Sequence, residues 1–330
     1  NSQNQTWNTG QYASLWAKVD KALSAGKPQT AAQYLAELEE MTRQNGDKLE
    51  QLEVSKQRYE CLSRYNWKEA RDYYPGYMSL RSELYDDLDA NIEKYNKHPR
   101  VVMLISEKIR RVKDSEDRKA DSEKSEEVYR NVRQMCQQAI KAFPKTSYSR
   151  ELQSIIDEMD SPWLYFSGAD KGYPGAELEY EINLKNIAEA EIKVYKLSGR
   201  FNIADAEKFA KYDSGSPRCT LVGSKKLDEI ENRYNIAEKA NTSWTFDEAG
   251  LYVVKITDGK QTAPFQYVYI SRVAAALRQG GDHYEVYAAD AMTGKPFDKT
   301  RITAYKENNG KGIFIAPTVH SEKEYVQDGF

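Results

Sequence analysis

Chemistry at neutral pH draws on a histidine, a thiol, a pair of carboxylates or a bound metal, and this 330-residue chain offers three histidines, three cysteines and 51 acidic residues. His98, His283 and His320 lie in different segments. None belongs to an HExxH motif or to a Cys/His cluster of zinc spacing, so each reads as a surface or turn residue. Cys61, Cys136 and Cys219 are widely spaced and form no CxxC. Their odd number argues against a disulfide framework, and each reads as a small buried apolar residue. The adjacent carboxylates Glu39-Glu40 and Asp86-Asp87 point about 100° apart on a helix. They cannot flank one glycosidic bond, and they read as solvated faces. Tyr73, Tyr74 and Tyr77 gather around Pro75-Gly76. Such a turn can be a ligand platform, or its rings can pack a helix kink against the next hairpin. There is no GxSxG elbow, no phosphate-binding P-loop and no GxGxxG ahead of a helix. The residues therefore predict no catalytic group, no metal ligand, no cofactor and no enzyme.

The first half of the chain must supply helices. In residues 12 to 25, Leu15, Trp16, Val19, Ala22 and Leu23 share one helical face up to Gly26. Pro28 opens a second helix carrying Ala31, Ala32, Leu35, Leu38 and Met41 as far as Asn45-Gly46. The period recurs in 47 to 64, in 67 to 95 with an interruption at Pro75-Gly76, in 125 to 142, and in a last segment after Pro144. Helices in pairs with short connections resemble tetratricopeptide-type hairpins, although no clean 34-residue repeat aligns across the whole segment. Between Ser106 and Glu127 the charges are mixed and apolar residues nearly absent, which reads as a solvated helix face or a mobile loop.

At Asp160-Ser161-Pro162 the period changes. Leu178, Tyr180, Ile182 and Leu184 alternate with Glu179, Glu181 and Asn183, as in a strand with one buried face. The runs 192–197, 251–256 and 265–270 are β-branched and aromatic, with a hairpin signal at Asp258-Gly259. Short strands without alternating helices predict an antiparallel sandwich. The polar stretch from Asn202 to Ala240 reads as an excursion from the sandwich edge with some local helix.

Forty-eight basic residues against 51 acidic ones leave a net charge of −3 and no basic face, which excludes a polyphosphate partner. The aliphatic run Val273 to Leu277 falls far short of the ~20 residues a membrane-spanning helix requires. The start NSQNQTWNTG lacks an initiator Met and an apolar signal core, as a processed or recombinant start would.

From Ser271 to Lys306 the chain has an entering strand, a turn with Gly280, Gly281 and Asp282, and a strand holding Val286 and ending at Asp290. A turn of Thr293, Gly294, Lys295 and Pro296 follows, then a run with Ile302 and Tyr305. This pattern resembles the second macroglobulin-type domain of the bacterial α2-macroglobulin-like proteins. Residues 173–197, with Asn186 near the turn, resemble the first such domain, and the FPKT turn at 143–146 resembles the amino-terminal helical region of Gram-negative envelope members. Phe297 to Thr300 depart from the small apolar residue and Gly-Ala step usual after the turn.

The resemblance implies three domains: helical hairpins over 1–160, a first macroglobulin-like β-sandwich over 161–271 with a helical insertion near 202–240, and the start of a second sandwich over 272–330. It implies an exported periplasmic or outer-membrane-associated protein, its signal or lipoprotein segment removed, of which this chain is an amino-terminal fragment. The intact protein would trap or inhibit proteases, with proteases or envelope proteins as partners and this fragment as scaffold. The family's internal thioester sits in a Cys-Gly-Glu-Gln setting, whereas Cys61 is followed by LSR, Cys136 by QQA and Cys219 by TLV. The rival reading is a non-catalytic scaffold that presents a helical concave surface to a peptide or protein of the envelope.

Overall fold

A computed structural model describes residues 12–197, 219–228, 230–259, 265–280 and 283–297. The chain divides into two compact units at Ser161/Pro162. The first is helical: α1 (Ala13–Ser24), α2 (Pro28–Gln44), α3 (Lys48–Tyr65), α4 (Trp67–Tyr85), α5 (Leu88–Lys94), α6 (Val101–Asp117), α7 (Glu126–Ala142) and α8 (Ser147–Asp160).

The turns between the first three helices are built alike. Gly26 and Gly46 both take φ +68°, the left-handed conformation that a residue with a Cβ resists. Gly26 N donates to Leu23 O and Lys27 N to Ala22 O, and Gly46 N donates to Arg43 O and Asp47 N to Thr42 O. These paired bonds close the ends of α1 and α2 and return the chain at once. Trp16, Val19, Ala22, Ala31, Leu35, Leu38, Val54 and Leu62 then meet in one apolar cluster.

Two sequence expectations change here. The helix is not interrupted at Pro75-Gly76: α4 runs through both residues, and the break falls at Asp86-Asp87, where the Asp87 carboxylate accepts from Ala90 N at 3.1 Å and starts α5. Pro75 removes one donor from the exposed side of α4, where water can bond the freed carbonyl. The charged stretch from Ser106 is helix as far as Asp117 and a connection with one short 3-10 turn, Asp121–Glu123, before α7, and its helical part is not solvated all round. Val102, Ser106, Ile109, Lys113 and Glu116 form a continuous buried stripe of α6. Lys113 Nζ reaches Asp117 at 2.8 Å and Glu158 at 3.0 Å, while Glu116 accepts from Ser125 N at 2.6 Å and Lys119 Nζ at 2.7 Å. The FPKT turn caps α8, with Thr146 Oγ1 accepting from Ser149 N at 2.9 Å.

The second unit is built of strands: β1 (Trp163–Gly168), β2 (Lys171–Gly172), β3 (Ala176–Lys185), β4 (Glu191–Leu197), β5 (Cys219–Lys226), β6 (Glu238–Phe246), β7 (Gly250–Thr257), β8 (Phe265–Ile270), β9 (Val273–Gly280) and β10 (His283–Asp290). Three sheets result, in the orders β1-β3-β6, β2-β8-β7-β4-β5 and β10-β9. All pairings are antiparallel except β2 with β8, which is parallel over two residues and makes the five-stranded sheet mixed.

Alternation along β3 buries Leu178, Tyr180, Ile182 and Leu184, and these meet Phe246 of β6 and Ile192, Val194, Tyr252, Val254 and Val268 of the other sheet in one cluster. Within it the Tyr180 hydroxyl and the neighbouring Thr242 hydroxyl, both buried, find no hydrogen-bond partner among the described residues. An orphaned buried hydroxyl carries a desolvation cost of about 1–3 kcal/mol. Tyr180→Phe is therefore expected to raise the stability of this unit by about 1 kcal/mol, read as a higher urea midpoint at unchanged slope.

The helix expected within 202–240 is overturned over its second half. The described residues among 226–239 hold no helix; β5 and β6 occupy the ends of this stretch. Asn232 and Asn235 take φ of 55° and 56°, Glu238 accepts from Asn232 N at 3.0 Å and Arg233 N at 2.8 Å, and Asn235 N donates to Asn186 Oδ1 at 2.8 Å. Left-handed residues cannot continue a right-handed helix. The first half of that helix, at 204–212, lies outside the described residues, as does the strand expected over 301–306.

Candidate functional site

The helical unit is organised by carboxylates on α3. Asp47, Glu50 and Glu53, spaced by three, lie on one side of the helix. Glu50 accepts from Trp16 Nε1 at 2.5 Å and from Arg100 Nη2 at 2.8 Å, with a further contact from Arg100 Nε. The guanidinium stands over the Trp16 ring, 5.2 Å from its centroid. Glu53 accepts from Tyr148 Oη at 2.7 Å and Gln57 Nε2 at 2.9 Å. Asp47 caps α3 through Glu50 N at 3.0 Å and meets His98 Nε2 at 3.2 Å. Because His98 Nδ1 accepts from Arg100 N at 3.1 Å, the proton of the neutral imidazole sits on Nε2 and donates to Asp47. The row thus clamps α1, α8 and the turn before α6 onto α3, and its acceptors face helices rather than a cleft. Sequence reading passed over Glu50, Glu53 and Arg100; the signal was a carboxylate at two core-facing positions beside Leu49, Leu52 and Val54.

Burial pushes the Glu53 carboxyl upward, but the charges of Arg100 and Lys56 and the bonds from Tyr148 and Gln57 outweigh it, holding it below the ordinary value. Asp47 is likewise lowered, its burial overcome by His98 and Glu50 N. A depressed carboxylate contributes stability above its unfolded value, near 4. That contribution drains as pH falls through the lower folded value. The thermal midpoint at 222 nm is expected to fall between pH 5 and pH 3, with Glu53→Gln flattening the fall.

The tyrosine trio separates. Tyr73 turns inward, its hydroxyl donating to Glu39 Oε1 at 2.5 Å beneath the Arg58 guanidinium, which lies 4.8 Å from the ring centroid. Glu39 also accepts from Ser55 Oγ at 3.1 Å and Arg58 Nη1 at 2.6 Å. It is the hub of a half-buried network, whereas Glu40 remains on the exposed face expected for both. Tyr74 and Tyr77 lean on Tyr59 of α3, with centroids 5.2 and 5.8 Å from it. The rings thus pack α4 on α3.

In the second unit the register brings together residues that sequence reading had not linked. Across β1, β3 and β6, Trp163 stands opposite Lys185; Tyr165, Asn183 and Lys239 share the next rung of this face; Ser167, Glu181 and Asn241 the one after; then Glu179 and Ser243. Direct partners point to the same side of a sheet, and it is the side opposite the buried Leu178 and Ile182. Trp163 and Tyr165 are 39% and 55% exposed. An open cavity of about 700 Å³ is lined by Ser167, Glu179, Glu181, Asn241 and Ser243 of this side, by Gly168, Tyr180 and Thr242 of the opposite, buried side, and by Lys225 of β5 in the other sheet. Glu181 is held below the ordinary carboxylate value by the bond from Lys239 and then Asn183.

Of the histidines, His98 belongs to the clamp, His283 lies in β10, and His320 lies outside the described residues. Cys61 and Cys136 are buried, Cys219 half-buried, and all three are free thiols. Burial pushes the Cys136 thiol up to about 11, which makes it a poor nucleophile. Among the described residues no group of three or more His, Cys, Asp or Glu is placed to hold a metal ion, and no helix is long and apolar enough to cross a membrane.

No family model and no curated protein matches the chain. Among solved structures it is similar to native alpha-2-macroglobulin from Escherichia coli spanning domains MG0-NIE-MG1, at 14% identity and a TM-score of 0.30, over 41% of this chain and 47% of that one. It is also similar to a CARDB domain from Pyrococcus furiosus in complex with di-metal ions, at 13% identity and a TM-score of 0.22, over 34% of this chain and 88% of that one. The chain spans less than half the length of the first of these.

Proposed function

We propose that this chain is amino-terminal scaffold of a bacterial α2-macroglobulin-like envelope protein: tetratricopeptide-like hairpins, one macroglobulin-type β-sandwich, and the opening hairpin of a second. In the intact, exported protein its role is to hold a protease trap, and it performs no catalysis itself. The observation that carries this reading is the turn after β10. Asp290 Oδ1 accepts from Met292 N at 3.1 Å, Thr293 N at 2.8 Å and Thr293 Oγ1 at 2.9 Å, and Gly294 takes φ +68°. Asp290 N donates to Lys295 O at 2.9 Å, and Ala289 bridges Pro296. Each residue of the quoted macroglobulin-like motif in this turn thereby has a defined part in reversing the chain. Within the second unit the β9-β10 hairpin follows directly on two larger sheets that share one apolar cluster, the order expected of successive sandwiches.

The test uses the full-length protein with a panel of endoproteases. A covalent adduct with the protease, abolished by methylamine, is the expected result. No adduct and no loss of protease activity would overturn the trapping role. The exposed Tyr74 beside Tyr59 and Tyr77 favours the second reading, a peptide-binding helical scaffold.

A further inference from the structure

The solvent-facing side of the β1-β3-β6 sheet has a composition unlike a protein contact and unlike an ionic site. We propose that it is a binding platform for a neutral oligosaccharide, with Trp163 and Tyr165 as the stacking rings and Asn183, Glu181 and Asn241 as the hydroxyl-reading groups.

Spacing comes first. Trp163 and Tyr165 are two residues apart on β1, so their side chains leave the strand on the same side, roughly 7 Å apart. Both are substantially exposed, 39% and 55%. A run of two aromatic residues on the water side of a strand costs solubility and contributes nothing to the buried cluster. A pyranose ring presents a face of C–H bonds that packs on such a ring and a rim of hydroxyls that must be bonded.

Those bonds have partners one strand away. Asn183 is directly opposite Tyr165, and Glu181 directly opposite Ser167, with Asn241 completing the rung. Planar amides and carboxylates can each engage two vicinal hydroxyls at once, and the amide can both donate and accept. The open cavity that reaches Ser167, Glu181 and Asn241, and takes in Gly168, Tyr180 and Thr242 from the buried side, measures about 700 Å³, within the roughly 300–1,000 Å³ range of small-molecule sites.

Charge then selects among ligands. Glu177, Glu179 and Glu181 share this face with Lys185 and Lys239. The Glu181–Lys239 and Glu177–Ser243 contacts hold two of the carboxylates within the face. A nucleic acid or an acidic glycan needs a basic surplus, which this face lacks. A protein partner wants an apolar centre depleted of charge, whereas here the aromatic residues sit at the sheet edge and the centre is polar. A neutral polyhydroxyl ligand needs neither.

The test is titration of the full chain with maltohexaose, cellohexaose and chitohexaose, followed by tryptophan fluorescence and calorimetry, with polygalacturonate as the charged control. At least one neutral hexasaccharide is expected to bind, and Trp163→Ala and Tyr165→Ala are each expected to weaken that affinity at least tenfold. Asn183→Ala is expected to weaken it without altering the thermal midpoint, since all three side chains lie outside the buried cluster. The proposal is overturned if no neutral hexasaccharide binds, if only polygalacturonate does, or if binding survives both aromatic substitutions. A wild-type dimer by sedimentation that Tyr165→Arg dissolves would also overturn it, by making the face a contact between copies. These outcomes are independent of the protease experiment, so either reading can fail alone.

Discussion

Arg100→Met is expected to lower the unfolding free energy of the helical unit by about 3–5 kcal/mol. Arg100 and Glu50 are each 5% exposed, and the substitution leaves the Glu50 carboxylate buried with Trp16 Nε1 as its one remaining side-chain donor among the described residues. It also removes the charge that most lowers the Glu53 carboxyl, so a second buried group loses its compensation. The loss follows from stranding charge rather than from the pair's own strength, since buried ion pairs gain little over apolar residues of similar volume. Glu50→Gln placed on Arg100→Met is therefore expected to recover part of the loss. Urea unfolding followed at 222 nm closes the double-mutant cycle. A double variant as unstable as the sum of the singles would show that the two side chains act separately.

The helices and the strands were readable where one residue type repeats at one period. Leu, Val and Ala at helical spacing marked α1 to α3, and Leu178, Tyr180, Ile182 and Leu184 marked β3. The period failed wherever a polar side chain fills a core position. On α6 the buried stripe ends in Lys113 and Glu116, which besides the nearby Asp117 and Lys119 have the partners Glu158 and Ser125, far along the chain or across a turn. Nothing local to that segment announces them. Pro75 misled because a proline on an exposed helix side loses only one bond. β5 was missed because an edge strand held by pairing with β4 can leave Leu221 and Val222 half exposed and show no alternation.

The aromatic-amide face was invisible for a different reason. Trp163 and Asn183 can be read individually, but which of them meet depends on a register that the turns at 169–175 and around Asn186 impose. A slip of one residue would turn Asn183 and Glu181 inward and Ile182 outward. Thus the register that buries Ile182 is the same fact that places Asn183 beside Tyr165.

That register rests on the cluster beneath it, and Phe246→Ala is the substitution expected to damage it most. Phe246 is 1% exposed at the end of β6, its ring edge-on to Tyr252 of the other sheet with centroids 4.9 Å apart. Removing it loses the transfer energy of a buried phenyl group, leaves a cavity and breaks an aromatic pair, about 3–5 kcal/mol together. Phe246 O also accepts from Gly175 N at 2.7 Å, fixing the turn that leads into β3. Hydrogen exchange resolved by peptide is expected to show loss of protection along β3, β6 and β7, with α2 and α3 unchanged, because the apolar clusters of the two units share no residue. Equal loss of protection in α2 and α3 would mean that the two units unfold together. Confined to the strands, the loss would instead assign the aromatic-amide face to a unit that holds its register by its own core.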